Sequence, residues 1–265
     1  MKKITLSLLL ASSLMMAAEP GTKKDNALVS HAELGYIETQ GNTKTQTFNL
    51  DAKMKKAWGA NIFTLIFDGQ SGSDNQVETK NKYFIELEYE YEISERIAFN
   101  YLVGYKADRF SGFSYQLYTG PGAKYKAIIS DKHNLSIDAN LLYAKDSYEN
   151  VYTDPITGDF ISYPSSTAGA TLFQKSYDDQ YASYRLKAVY NWQMLENLKF
   201  DQELSLRGSF EESNKYFIFS KSALTSKLSD IFSAGISYKV DYAQVPATGK
   251  EDTDTTFTAN LIIDY

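Results

Sequence analysis

The sequence predicts an all-β protein: an antiparallel up-and-down transmembrane β-barrel of about 12 strands. Three observations carry this prediction. Long stretches alternate polar and apolar residues, which is the period of a strand with two different faces. The mean hydropathy is only −0.38, and no run of about 18 apolar residues exists to form a membrane helix. Yet 14% of the chain is aromatic, with 21 Tyr and 15 Phe and only 5 Pro. A hydrophilic average with many aromatics suits a membrane barrel, because only alternate residues face lipid. The third observation is the C-terminus, which ends on Tyr265 after apolar residues at Phe257, Ala259, Leu261 and Ile263.

The chain opens on a processing signal. Lys2 and Lys3 precede a mostly apolar run from Ile4 to Ala18, and charge resumes at Glu19. A basic start, a short apolar stretch and a small-residue end form a secretory signal peptide, too short to span a bilayer. The predicted organisation is a signal peptide over 1–18, a short periplasmic segment over 19–27 and an outer-membrane barrel over 28–265. Cysteine is absent, which excludes a lipoprotein anchor, a disulfide framework and thiolate chemistry. The net charge of −6 argues against nucleic acid, whose phosphates demand a basic face.

Twelve segments follow in order. The first, 28–38, sets Ala32, Leu34 and Tyr36 against His31 and Glu33, and Gly41-Asn42 marks a turn. The second, 44–57, sets Phe48, Leu50, Ala52 and Met54 against Asn49, Asp51 and Lys53. The third, 61–68, carries Phe63, Leu65 and Phe67, and a Gly/Ser/Asp/Asn-rich loop is expected over 69–77. The fourth, 80–92, is the clearest: Tyr83, Ile85, Leu87, Tyr89 and Tyr91 oppose Phe84, Glu86, Glu88 and Glu90. The fifth, 97–107, turns Ile97, Phe99, Tyr101, Val103 and Tyr105 outward. The sixth, 113–129, contains Gly120-Pro121-Gly122, where a bulge or bend is expected because Pro cannot donate to a ladder.

The seventh segment, 134–146, carries Leu135, Ile137, Ala139, Leu141 and Tyr143, and the longest loop is expected over 147–179. The eighth, 180–193, shows Ala182, Tyr184, Leu186, Ala188, Tyr190 and Trp192; the ninth, 198–211, shows Leu198, Phe200, Leu204 and Leu206. In the tenth, 215–228, the face taken by Phe217 and Phe219 is open. The eleventh, 231–243, carries Phe232, Ala234, Ile236, Tyr238 and Val240, and a polar loop over 244–253 leads to the last strand. Connections after the even-numbered segments are tight, those after the third, seventh and eleventh are long, and those after the first, fifth and ninth are short, so the alternation is incomplete. Outer-membrane barrels have short periplasmic turns and longer outer loops, so an even strand number puts both termini on the periplasmic side. Aromatics near segment ends, such as Tyr91, Tyr105, Tyr143 and Trp192, fit the girdles at the two membrane interfaces.

Two stretches resemble a known family. Ala32-Glu33-Leu34-Gly35-Tyr36 runs through Gly41-Asn42-Thr43 to Thr45-Gln46-Thr47-Phe48-Asn49-Leu50. This is similar to the opening of the DUF481 or YdiY-like proteins, some called salt-induced outer-membrane proteins. Asp108-Arg109-Phe110-Ser111-Gly112-Phe113, with Tyr115 and Gly120-Pro121-Gly122, resembles the family's middle segment. The resemblance implies an outer-membrane barrel and brings no established activity or catalytic residue. The 147–179 loop looks like an insertion relative to the family pattern.

Candidate chemistry is sparse. His31 and His133 are the only histidines; a barrel hydrolase needs a nucleophile, a His and an orienting group held together, and no run provides them. No catalytic, metal or cofactor site is assigned, and Asp154, Asp159, Asp178 and Asp179 read as solvated loop carboxylates. The inward faces carry charge of both signs. The lumen-facing candidates are Glu86, Glu88, Glu90, Lys106, Asp138, Arg185, Lys187, Asp201 and Glu203. Two functions follow: a narrow low-conductance channel for small solutes or ions, in which Glu86, Glu88 and Glu90 form a cation-attracting row, or a structural or surface-interaction barrel with a lumen closed by salt bridges. The expected partners are outer-membrane lipid, lipopolysaccharide and the barrel assembly machinery.

Phe257, Leu261, Ile263 and Tyr265 resemble the C-terminal assembly signal of outer-membrane barrels. Deleting 257–265 should leave unassembled protein in the periplasm. Recovery of heat-modifiable barrel in the membrane at normal levels would refute the assignment.

Overall fold

Alternation gives each strand one apolar and one polar face, and closing the strands into a ring lets all the polar faces meet inside. The computed structural model describes residues 28–39, 45–161 and 169–264. The strands are β1 (Leu28–Thr39), β2 (Thr45–Trp58), β3 (Asn61–Asp74), β4 (Val77–Glu92), β5 (Ile97–Asp108), β6 (Phe113–Ile129) and β7 (His133–Tyr148). They continue with β8 (Val151–Thr153), β9 (Phe160–Ile161), β10 (Thr171–Gln174), β11 (Tyr177–Leu195), β12 (Leu198–Ser209), β13 (Tyr216–Lys227), β14 (Phe232–Ala243) and β15 (Thr253–Asp264). Twelve of them form a closed antiparallel barrel, and β8, β9 and β10 form a separate small sheet. Closure is made by β1 against β15, through Ala32 opposite Ile263 and Leu34 opposite Leu261. The expected leader, the 19–27 segment, the Gly41-Asn42 turn and Tyr265 lie outside the described residues.

The wall is inverted relative to a water-soluble protein. Outward residues include Ile85, Leu87, Val103, Leu141, Leu186, Leu204, Ile236 and Leu261, all large, apolar and exposed. Inward residues include Glu86, Glu88, Asn100, Asp138, Arg185 and Ser237, all buried. Exposed apolar surface on this scale is stable only in a nonpolar solvent. Two aromatic belts edge it. At the end where β1 starts and β15 stops, Trp58 stacks on Phe63 at 5.0 Å, Phe63 packs on Tyr89 at 4.9 Å, and His133 stacks on Trp192 at 5.7 Å. At the far end, Tyr83, Tyr105 and Tyr115 stack at 5.9 and 5.7 Å, and Tyr216 meets Tyr242 at 6.1 Å. Amphipathic rings collect at this level because one side meets lipid and the other water. The protein is a closed transmembrane β-barrel.

Three details depart from the sequence expectations. The 69–77 region is strand: β3 runs to Asp74 and β4 starts at Val77. Asn75 and Gln76 turn the hairpin with φ of 47° and 67°. Positive φ at both central positions matches the right-handed strand twist, so polar, glycine-rich sequence here builds a hairpin with Asp74 opposite Val77. The third connection is therefore tight, not long. Second, β6 keeps its register through Gly120-Pro121-Gly122, from Thr119 opposite Tyr143 to Gly122 opposite Asn140, and its irregularities fall at 113–115 and 126–128 instead. Glycine is needed at this crossing because β7 comes close: a Cβ on Gly120 would lie 2.0 Å from the Leu141 carbonyl oxygen. Third, the 147–179 excursion contains regular structure, since β7 extends to Tyr148, β11 begins at Tyr177 and the small sheet lies between them. The open question about β13 also resolves. Phe217 packs inward on Phe113, on the same face as Lys221.

Leu141 lies midway along β7 on the outer face and is 64% exposed. Replacing it by Arg should destabilise the barrel by about 2–4 kcal/mol, measured by urea unfolding in lipid vesicles, because a charge at mid-depth has no water to enter.

Candidate functional site

The lumen is the candidate site, and period two assembles it. Glu86, Glu88 and Glu90 fall on successive inward positions of β4, opposite Gly104, Leu102 and Asn100 of β5. Gly104 leaves space that the Tyr118 ring fills; a Cβ there would lie 2.3 Å from the ring. The Tyr118 hydroxyl donates to Glu86 Oε2 at 2.9 Å. Arg185 reaches the same Glu86 oxygen from β11, with Nη1 at 2.8 Å, and its Nε donates to Asn140 Oδ1 at 3.3 Å. Asn140 Nδ2 donates to Asn100 Oδ1 at 2.7 Å, and Asn100 Nδ2 donates to Glu88 at 3.2 Å and Asp138 at 3.0 Å. Lys124 closes the net, bonded to Glu90 and 3.4 Å from both Glu88 and Asp138. Glu86 is 2% and Asn100 0% exposed. Burial of this many charges is tolerable only because each finds an opposite charge and further hydrogen bonds.

A second group spans the lumen. Asp241 of β14 accepts Lys82 Nζ at 2.5 Å and Lys106 Nζ at 2.9 Å. In the ring order β5 and β14 are six places apart, so the Lys106–Asp241 pair joins diametrically opposite walls. Beside it Lys239 holds Asp51 at 2.8 Å and also bonds Asp68. Lys221 holds Glu33 at 2.9 Å, which accepts Asn260 Nδ2 at 2.6 Å and lies 3.1 Å from His31 Nε2.

The far mouth is capped. Asp146 is 0% exposed and accepts the Tyr181 hydroxyl at 2.7 Å and Gln116 Nε2 at 3.1 Å. Lys215 lies 3.3 Å from it and 4.0 Å from the Tyr181 ring centre. Above these groups, Phe113, Tyr148 and Ala247 form a buried apolar cluster with Phe217 against it. The irregularity at 113–115 aims Phe113 inward opposite Tyr148, which is the usual work of a bulge. Ala247 belongs to the connection between β14 and β15, whose Thr248 hydroxyl donates to Gln174 of β10 at 3.0 Å.

All nine lumen-facing candidates lie on inner strand faces. Glu86, Glu88, Glu90, Asp138 and Arg185 join one net; Lys106 belongs to the cross-lumen group. Lys187 pairs with Glu203 at 3.2 Å, and Asp201 with Lys199 at 2.9 Å. The sequence left Glu86, Glu88 and Glu90 either as a cation-attracting row or as parts of a salt-bridged lumen, and Lys124 and Arg185 match them. It missed the Phe113–Tyr148–Ala247 cap, which no local pattern signals. Phe257 and Leu261 face outward. The wall separates the two histidines: His31 sits inside, and His133 sits outside, with Nδ1 2.8 Å from the Tyr190 hydroxyl. The loop aspartates have separate partners. Asp154 accepts the Ile156 and Thr157 amides, which hold its carboxyl below the usual range. Asp178 pairs with Lys145 at 2.8 Å, and Asp179 bonds Lys215.

The family model described as "Protein of unknown function, DUF481" matches residues 32–265. The chain belongs to the DUF481 family. No curated protein matches it in sequence. Among solved structures, the COG4313 outer membrane channel from Pseudomonas putida F1 is 8% identical with a TM-score of 0.49, covering 93% of this chain and 98% of that one. The NanC porin is 11% identical with a TM-score of 0.45, covering 90% and 99%. The translocator domain of the autotransporter NalP from Neisseria meningitidis is 9% identical with a TM-score of 0.44, covering 93% and 90%. These likenesses are too distant to carry activity or substrate to this DUF481 barrel.

Glu86→Gln leaves Arg185 buried without its counter-charge, and loss of one partner of such a pair costs about 3–5 kcal/mol. Replacing Arg185 by Met as well should recover most of that loss. Urea unfolding of the single and double variants in vesicles checks the order of stability.

Proposed function

We propose that this barrel is a narrow, low-conductance channel for small solutes or ions, held nearly closed at rest by ion pairs across its lumen. The observation that carries the reading is Asp241, bridged to Lys82 and Lys106 from the opposite side of the ring. Twelve strands give a bore between the filled eight-stranded barrels and the open 16–18-stranded porins. At that width, long side chains from facing walls can meet, and solute passes only where they part. The apolar cap at the far mouth adds a second constriction. In the expected orientation both termini face the periplasm, the capped end faces outward among lipopolysaccharide, and assembly depends on the barrel assembly machinery.

A second reading, a structural or surface-interaction barrel with a permanently closed lumen, draws support from the same cap, since Phe113 and Tyr148 are buried beneath Ala247. Single-channel recording in planar bilayers separates the two. The wild type should conduct far less than an open porin. Replacing Lys82, Lys106 and Asp241 together by Ser removes the bridge without stranding a charge, and conductance should rise several-fold. Zero conductance in both proteins would assign the barrel to the structural class.

A further inference from the structure

The connection between β14 and β15, 244–252, has a firmly held foot and a lightly held tip. At the foot, Gln244 N donates to the Tyr216 carbonyl at 3.0 Å. Its Oε1 accepts the Tyr216 hydroxyl at 2.7 Å and the Tyr242 hydroxyl at 2.6 Å. Ala243 N donates to the Asp252 carbonyl at 2.8 Å and closes the neck. Beyond the neck the loop folds on itself, with Lys250 N donating to the Ala247 carbonyl at 3.0 Å. Among the described residues no backbone hydrogen bond joins 245–251 to any other segment. One side-chain bond holds the tip, from the Thr248 hydroxyl to Gln174 Oε1 at 3.0 Å.

The tip is nevertheless seated closely. Ala247 is the one buried residue of the loop and packs on Phe113 and Tyr148. Two glycines with positive φ, Gly112 at 79° and Gly249 at 76°, permit the approach. A Cβ on Gly112 would lie 2.6 Å from Ala247 Cβ, and one on Gly249 would lie 2.7 Å from Phe160 Cβ. Beneath the seat lies charge. Lys215 Nζ is 5.8 Å from the Tyr148 ring centre and 3.3 Å from Asp146. Arg207 lies over the Phe217 ring at 4.4 Å, and its Nη1 donates to the Tyr181 hydroxyl at 2.9 Å. Lys215, Arg207 and Asp146 are all buried. Mutual attraction returns only part of what charges lose on leaving water. The seal over them is a single methyl group, a small apolar gain. Lifting the tip therefore gives up little contact and returns charged groups to water. Segments with few buried apolar contacts are the ones that open locally.

We propose that 245–251 is a lid on the far mouth, hinged at the Gln244–Asp252 neck, shut when Ala247 is seated and open when the tip swings outward. Its use rests on the channel reading, but its movement does not require conduction. The far constriction is then a movable closure, separate from the ion pairs that cross the bore below it. The fixed foot keeps the β14–β15 hairpin in place while the tip moves, so the wall of the barrel is unchanged in both states.

The chain has no cysteine, so introduced thiols are unique. Thr248→Cys with Gln174→Cys, joined by a short reducible bis-thiosulfonate cross-linker, pins the tip to the small sheet. Labelling of Lys215 by an amine reagent, read by mass spectrometry on the purified barrel, reports access beneath the lid. Cross-linking should slow Lys215 labelling several-fold relative to the reduced form of the same protein, and reductant should restore it. Lys227, in an exposed pair with Asp230 at a turn, should label equally in both. Ala247→Asp places a carboxylate in the apolar seat and should speed Lys215 labelling several-fold in protein that keeps the heat-modifiable mobility of a folded barrel. Lys215 that labels equally in the cross-linked and reduced forms, or stays unlabelled in both, overturns the lid. Planar-bilayer current should fall on cross-linking and recover on reduction. Lid-dependent labelling with no current in any form keeps the lid and removes the channel reading.

Discussion

In hydrocarbon a backbone N–H or C=O has no water to bond, so a sheet can enter a bilayer only if it has no edge. The meeting of β1 and β15 meets that requirement, and everything else follows from it. The first strand must find the last across the whole intervening chain, with Ala32 opposite Ile263. Once the ring is shut, period-two alternation has two solvents to choose between, lipid outside and the enclosed lumen inside. A register slip of one residue would exchange them for an entire strand, which is why outer faces as different as those of β4 and β14 are uniformly apolar.

Closure creates an electrostatic problem that the lumen solves by reach. Acidic residues gather on β1 to β4, which are consecutive in the ring, and the basic residues that match them stand largely on other walls. Lysine and arginine stems are long enough to cross the lumen, so Arg185, Lys221 and Lys239 bond carboxylates on strands that are not their neighbours. These contacts lace the ring across its width as well as around it. The side chains that neutralise the lumen also occupy its width.

The two ends of the barrel differ. The far mouth gathers Asp146, Lys215, Tyr181 and the Phe113–Tyr148–Ala247 cluster into a dry cap. In the terminal half Lys53 and Lys55 are exposed.

The sequence by itself determined the fold. Alternation along Tyr83 to Tyr91 or Phe257 to Tyr265 is a local property, set by the strand period and readable without any partner. Where the alternation is clear it also assigned each residue to one of the two faces, while on β13 the face of Phe217 stayed open until the structure set it against Phe113. The sequence misplaced the 69–77 hairpin, where Gly, Ser and Asp suit a loop and an extended hairpin equally and only pairing with β2 and β4 decides. Tertiary structure alone decided the pairing of the charges. Glu86 and Arg185 are 99 residues apart, and whether a carboxylate is free or matched depends on which strand stands across the ring. The same holds for the cap, where Phe113, Tyr148, Phe217 and Ala247 come from four distant segments. Strand period is local, whereas distance across a closed barrel is set by strand number and stagger, which no short stretch of sequence encodes.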